Sequence, residues 1–100
     1  MQQIDAQMFM NRLQSNELLN LLDVREAIEF HTYNIGGKNI PLSVLNEKLA
    51  LVHHNKTDEI IVVCKAGVRS KTASAILVQN GFTNVKNLTG GLLALQRLQA

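Results

Sequence analysis

One hundred residues, 46% of them hydrophobic but with no long apolar run, are enough for one globular domain with a modest core and exclude a membrane-spanning helix. A net charge of +2 and an aromatic content of 4% leave too little positive potential and stacking surface for a nucleic-acid binder. The lone cysteine rules out an internal disulfide, and the start MQQIDAQMFMNRL lacks the basic and apolar regions of a secretory signal, so a reducing, cytoplasmic location is expected.

Along the chain, strand and helix signals alternate. Asp5 is placed to cap a helix over 6–14, whose apolar positions are Met8, Phe9, Met10 and Leu13. A mostly buried strand is expected over 18–24 (LLNLLDV), then a short helix through Phe30. Tyr33 to Pro41 reads as a glycine-marked turn into a very short strand at Asn39 and Ile40. Its GGKN lacks the spacing of a phosphate loop. After Pro41, Leu42, Leu45, Leu49 and Val52 repeat at helical intervals. His53 and His54 invite a metal site, but neighbouring side chains on a helix point apart and no acid or cysteine stands at ligand spacing. His31 is isolated, so no metal is expected. Asn80 and Gly81 stop a helix, a last strand centres on Val85 within 82–88, and Gly90 and Gly91 lead into a final helix over 92–99. Such alternation predicts an α/β domain over residues 1–100, with a parallel sheet covered on both faces.

The chemistry concentrates in IIVVCKAGVRSKTASA, residues 60–75. Ile60, Ile61, Val62 and Val63 are all β-branched and too few for a helix, so they read as a buried strand with Cys64 at its carboxyl end. From Val68 to Asn80 the spacing of Val68, Thr72, Ala75, Ile76 and Val78 is helical. The loop Lys65, Ala66, Gly67, Val68, Arg69 and Ser70 therefore lies between a strand end and a helix start, where amides without carbonyl partners can point together at an anion. Lys65, Arg69 and Lys71 add positive charge, with no acid among residues 64–71. A helix start and nearby cations both favour the thiolate, the nucleophilic form. A lone cysteine is more often a small buried hydrophobe, but the glycine, the cations and the strand end tilt the reading toward a reactive thiol. Asp23 and Arg25, at the carboxyl end of the preceding strand, share that rim. With no proton-transfer partner in view, an ion pair or loop bonds that brace the rim suit them better than direct catalysis.

Four segments in order, LLDVREAIEF (21–30), GGKNIP (36–41), VVCKAGVRS (62–70) and GFTNVKNLTGG (81–91), resemble a single-domain rhodanese over nearly the whole chain. The resemblance implies a three-layer α/β/α fold around a parallel sheet of about five strands. It also implies sulfurtransferase chemistry with no cofactor beyond a covalent persulfide on Cys64. In that chemistry the loop amides from Lys65 to Ser70 cradle the sulfur, Lys65 and Arg69 attract anionic donors, and Asp23 and Arg25 organise the neighbouring loop. The stretch from Tyr33 to Gly37 is one residue shorter than the common family pattern. This variant resembles the rhodanese modules fused to adenylyltransferases of molybdopterin and thiamin synthesis, so residues 1–100 could be one module of a longer fusion. In that setting the acceptor is a small sulfur-carrier protein. Leu95 stands where the family often has Trp, which bears on the packing of the last helix.

A donor could be thiosulfate, another small anion or a desulfurase persulfide. The acceptor, whether cyanide, a thiol or a carrier protein, must come from outside, because no second cysteine can resolve a persulfide. Two other readings remain: a rhodanese-fold binding or regulatory module without catalysis, and a cysteine phosphatase or arsenate reductase. The last is disfavoured by a C-x4-R loop one residue shorter than the C-x5-R of the phosphatases, and by the absence of a loop Asp to serve as leaving-group acid.

Overall fold

The computed structural model describes residues 1–52 and 55–99, so His53 and His54 lie outside it. The elements are β1 (Gln2–Ile4), α1 (Ala6–Gln14), β2 (Leu21–Asp23), α2 (Ala27–Thr32), β3 (Lys38–Asn39), a 3₁₀ segment (Leu42–Val52), β4 (Ile60–Val63), α3 (Val68–Gln79), β5 (Val85–Leu88) and α4 (Gly91–Gln99). The five strands form one sheet in the order β1-β5-β4-β2-β3, with every pairing parallel. β4 is the middle strand and all four of its residues are buried.

Alternation along β4 divides the core into two layers. Ile60, Val62 and Cys64 face a cluster with Leu45, Val52, Ala73, Leu77 and Phe82, beneath the 3₁₀ segment and α3. Ile61 and Val63 face the opposite cluster of Phe9, Leu88, Leu92 and Leu95, beneath α1 and α4. This is the expected three-layer α/β/α arrangement. Leu95 is buried, so the last helix packs on the sheet without an aromatic ring at that position.

Local chemistry explains the boundaries. The Asp5 carboxylate accepts from the Met8 amide at 2.8 Å and starts α1 as expected. The strand expected over 18–24 shortens to Leu21–Asp23, because β4 provides ladder partners only opposite those residues. Leu18 is fully exposed. β1 has only Ile4 buried, so no alternating pattern marks it in the sequence. The helix expected after Pro41 is instead a 3₁₀ segment broken at Lys48 (φ −117°). Leu42 and Leu45, and again Leu49 and Val52, are three apart and so align on a three-residue turn; the four-residue step between the pairs spans the break. The face expected of α3 is also rotated. Ser70, Ala73, Ser74 and Leu77 are buried, whereas Val68 and Val78 are exposed. Small residues let α3 lie close to the sheet, and the buried Ser74 hydroxyl is satisfied by donating to the Ser70 carbonyl at 2.7 Å.

The amino-terminal rim of the sheet is tied by charge. Arg12 of α1 reaches Glu59 at 2.5 Å, Lys86 of β5 pairs with the same carboxylate, and Arg12 also meets Glu17. The Arg12 guanidinium first, helped by Lys86 and opposed by burial, lowers the Glu59 carboxyl to about 2. A folded-state value below the unfolded one gives stability that is present above the unfolded pKa, near 4.5, and is lost as pH falls toward 2. Urea titrations across that window should show wild type losing up to about 3 kcal/mol more than Glu59→Gln. Parallel acid limbs for the two proteins would contradict this assignment.

Candidate active site

Where β4 ends, its next residue, Cys64, is held by α4 as well as by its own loop. The Leu92 amide donates to the Cys64 carbonyl at 2.9 Å and the Leu93 amide to the Lys65 carbonyl at 3.0 Å. Both bonds need α4 to begin directly against the loop, which only glycine permits: Gly91 has φ +59°, and a Cβ there would overlap the Cys64 carbonyl oxygen. On the other side Gly67, with φ +93°, precedes α3 and turns the chain back over the sulfur.

The turn closes on Cys64 Sγ. The Gly67 amide donates to it at 3.1 Å and the Ser70 amide at 3.3 Å, while Ser70 Oγ lies 3.3 Å away. Cys64 is only 1% exposed. Burial pushes the thiol up, but the Ser70 hydroxyl and the Ser70, Gly67 and Ala66 amides outweigh it, and the net shift is downward. The donors converge on one atom. Such a nest suits an anionic sulfur.

Asp23 lies beside Val63 in the ladder, at the same end of the sheet. Its carboxylate takes Arg25 Nε at 3.0 Å and Nη2 at 2.9 Å, and both residues are buried. Arg25 also donates to the Tyr33 carbonyl at 2.6 Å, and the Asn39 amide bridges the Asp23 and Arg25 carbonyls. Asp23 and Arg25 therefore satisfy each other and brace the 33–39 turn.

Arg69 is placed differently from its sequence reading. It forms a two-pronged pair with Glu29 of α2 at 2.6 and 3.0 Å, so its charge is shared with an acid that the 64–71 stretch does not contain. The Arg69 guanidinium first, and the Glu26 amide after it, lower the Glu29 carboxyl to about 2 against an opposing effect of burial. Glu29 also completes a capping box with Glu26, the one sequence signal that marks it. The side chains of Lys65 and Lys71 form no ion pair among the described residues, and both residues are exposed. Val68 is 74% exposed on the outer lip. Beside Lys65, a groove of ≈ 360 Å³ runs between α2 and α4, lined by Ile28, Tyr33 and Leu93 among others.

A parallel α/β sheet whose central strand delivers a cysteine sulfur into a nest of loop amides defines a cysteine-centred domain. The family model described as Rhodanese-like domain matches residues 5–98, and the chain belongs to that family. It is 40% identical over 83 residues to the maize (Zea mays) adenylyltransferase and sulfurtransferase MOCS3-1, covering 77% of this chain and 18% of that protein. It is 28% identical over 96 residues to a protein named sulfurtransferase from Allochromatium vinosum, covering 95% and 88%. Among solved structures, the rhodanese-like domain protein from Staphylococcus aureus superposes with a TM-score of 0.83 at 29% identity, covering 95% of this chain and 91% of that one. The chain spans 48% of the length of the Bacillus subtilis relative named putative sulfur carrier protein YrkF, 18% of the maize one and 21% of Mycobacterium tuberculosis MoeZ.

The tight approach of α4 can be measured. Gly91→Ala should destabilise the fold by at least about 3 kcal/mol, from overlap and left-handed strain together, whereas Gly36→Ala, also at positive φ but in open space, should cost about 1 kcal/mol. Equal losses in urea unfolding would show that α4 does not hold the Cys64 loop as described.

Proposed function

We propose that this chain is a persulfide-forming sulfurtransferase. The observation that supports it most is the convergence of the Gly67 and Ser70 amides on Cys64 Sγ. A Cys64 thiolate would attack the outer sulfur of a donor such as thiosulfate. The donor's S–S bond breaks, sulfite leaves with the electron pair, and Cys64 holds the transferred sulfur as a persulfide anion. An external nucleophile, cyanide or a small thiol, then takes the terminal sulfur and returns the thiolate. Loop amides would stabilise the charge at each stage, and Lys65, which forms no ion pair among the described residues, would meet the anionic donor. No cofactor enters this cycle, and a reducing compartment such as the cytoplasm would keep Cys64 available.

The acceptor on this reading is a sulfur-carrier protein and the role lies in molybdopterin or thiamin synthesis; one Bacillus subtilis relative is named putative sulfur carrier protein, and the maize relative's name joins adenylyltransferase to sulfurtransferase. On this reading the Ile28, Tyr33 and Leu93 groove beside Lys65 is the approach for the acceptor's terminal segment. A phosphatase reading fits less well, since Arg69, the residue that would hold a phosphoryl group, is already paired with Glu29.

Incubation with thiosulfate should add the mass of one sulfur atom to the intact protein, cyanide should remove it, and Cys64→Ser should gain nothing. If the wild type stays unmodified with thiosulfate and with a desulfurase persulfide, the chain is a binding module of rhodanese fold instead.

A further inference from the structure

Behind the cysteine runs a hydrogen-bond chain that the sulfur-transfer reading does not use. Ser70 Oγ is 2.5 Å from Asn87 Oδ1, Asn87 Nδ2 is 3.1 Å from Gln3 Oε1, and Thr89 Oγ1 is 3.0 Å from the same Gln3 oxygen. Parallel pairing of β1 with β5 sets Gln3 directly opposite Asn87. Asn87 and Ser70 are buried, whereas Gln3 and Thr89 are exposed, so the chain links the buried sulfur to solvent.

Proton counting makes its direction matter. Ser70 has one hydroxyl proton, and an amide oxygen can only accept. With Asn87 Oδ1 facing it, the Ser70 hydroxyl donates outward, and Cys64 Sγ–H donates to Ser70 Oγ. That arrangement satisfies a thiol but turns a lone pair toward a thiolate. Once the thiol proton has left for solvent, the hydroxyl can serve the sulfur only if Asn87 turns its Nδ2 toward Ser70. Gln3 must then present its own amide nitrogen to Asn87 Oδ1, and Thr89 changes from donor to acceptor. Every group remains bonded in this reversed chain.

We propose that Asn87 and Gln3 are positioning residues, and that reversal of the Gln3, Asn87 and Ser70 chain delivers the Ser70 hydroxyl to the Cys64 sulfur when the thiol ionises. The inference rests on Cys64 working as a thiolate, yet ionisation is measurable without any sulfur donor. The charged groups that face Cys64 are accounted for separately. Arg69 of α3 is paired with Glu29 of α2, Asp23 is paired with Arg25, Lys65 is exposed, and Lys71 of α3 is exposed on the groove that Gln3, Asn87 and Thr89 also line. Lys86 of β5 pairs with Glu59, and the charge of α4 is Arg97 in its last turn.

Gln3→Glu tests the reversal, because a carboxylate of the same shape accepts from Asn87 but cannot donate to it, which locks the chain outward. Cys64 is the only cysteine, so thiolate absorbance followed against pH, with Cys64→Ser subtracted, reports it alone. Gln3→Glu should lower the ionisation constant of Cys64 by roughly threefold or more, and the change should persist at about 0.5 M KCl, where through-space effects of an exposed charge are screened. In a Ser70→Ala background the same substitution should change nothing. Gln2→Glu, which adds the charge on the same strand outside the chain, should also change nothing. The proposal is overturned if Gln3→Glu leaves the constant unaltered, if its effect survives loss of the Ser70 hydroxyl or fades with salt, or if Gln2→Glu reproduces it. Failure of sulfur loading with the predicted titration intact would count against the sulfurtransferase reading and leave the chain reversal standing.

Discussion

The sulfur of Cys64 sits where a strand ends and a helix begins, and backbone amides close around it because the chain has just turned at Gly67. Nearly every other feature of this rim follows from that turn. The nest has to be held from outside, since Cys64 and Lys65 offer their carbonyls to the first turn of α4. That contact leaves no room for a side chain at Gly91. β5, which delivers α4, must therefore lie next to β4, as the strand order has it. The same order brings β1 beside β5 and so places Gln3 opposite Asn87.

Burial alone would make a poor nucleophile of this cysteine, and hydrogen bonding decides the outcome. Two charge pairs near the nest, Asp23 with Arg25 and Glu29 with Arg69, are each internally compensated. They set the shape of the rim while adding little net field. At the solvent edge of the nest stand Lys65 and Lys71, which form no ion pair among the described residues. The rim thus keeps two kinds of group apart: neutral amides converge on the sulfur, and exposed cations stand at the solvent edge.

What could be read from the sequence was what is local. The run Ile60 to Val63, the glycine after Cys64 and the cap at Asp5 each act within a few residues, and the structure has β4, the loop and α1 where those signals put them. The 3₁₀ segment was harder, because Leu42, Leu45, Leu49 and Val52 suit either helix type until the break at Lys48 is known. Polar residues on the buried face of α3 contradict a hydrophobic stripe, and they do so because Ser70 serves the sulfur and Ser74 allows close approach. Non-local pairings were out of reach. Nothing in the 64–71 stretch announces Glu29, and Gln3 meets Asn87 only through the β1 and β5 register. β1 was missed because a three-residue edge strand with one buried side chain has no pattern to find.

The claim on which the rest depends is that the folded loop makes Cys64 more acidic than an ordinary cysteine in spite of its burial. Its most direct test is the pH dependence of alkylation by a neutral reagent, compared between the native protein and the same protein unfolded in urea. The native rate, scaled to its own plateau, should rise at a clearly lower pH than the unfolded one. A native midpoint at or above the unfolded midpoint would mean that burial prevails over the amides, and the thiolate on which sulfur transfer depends would not be available.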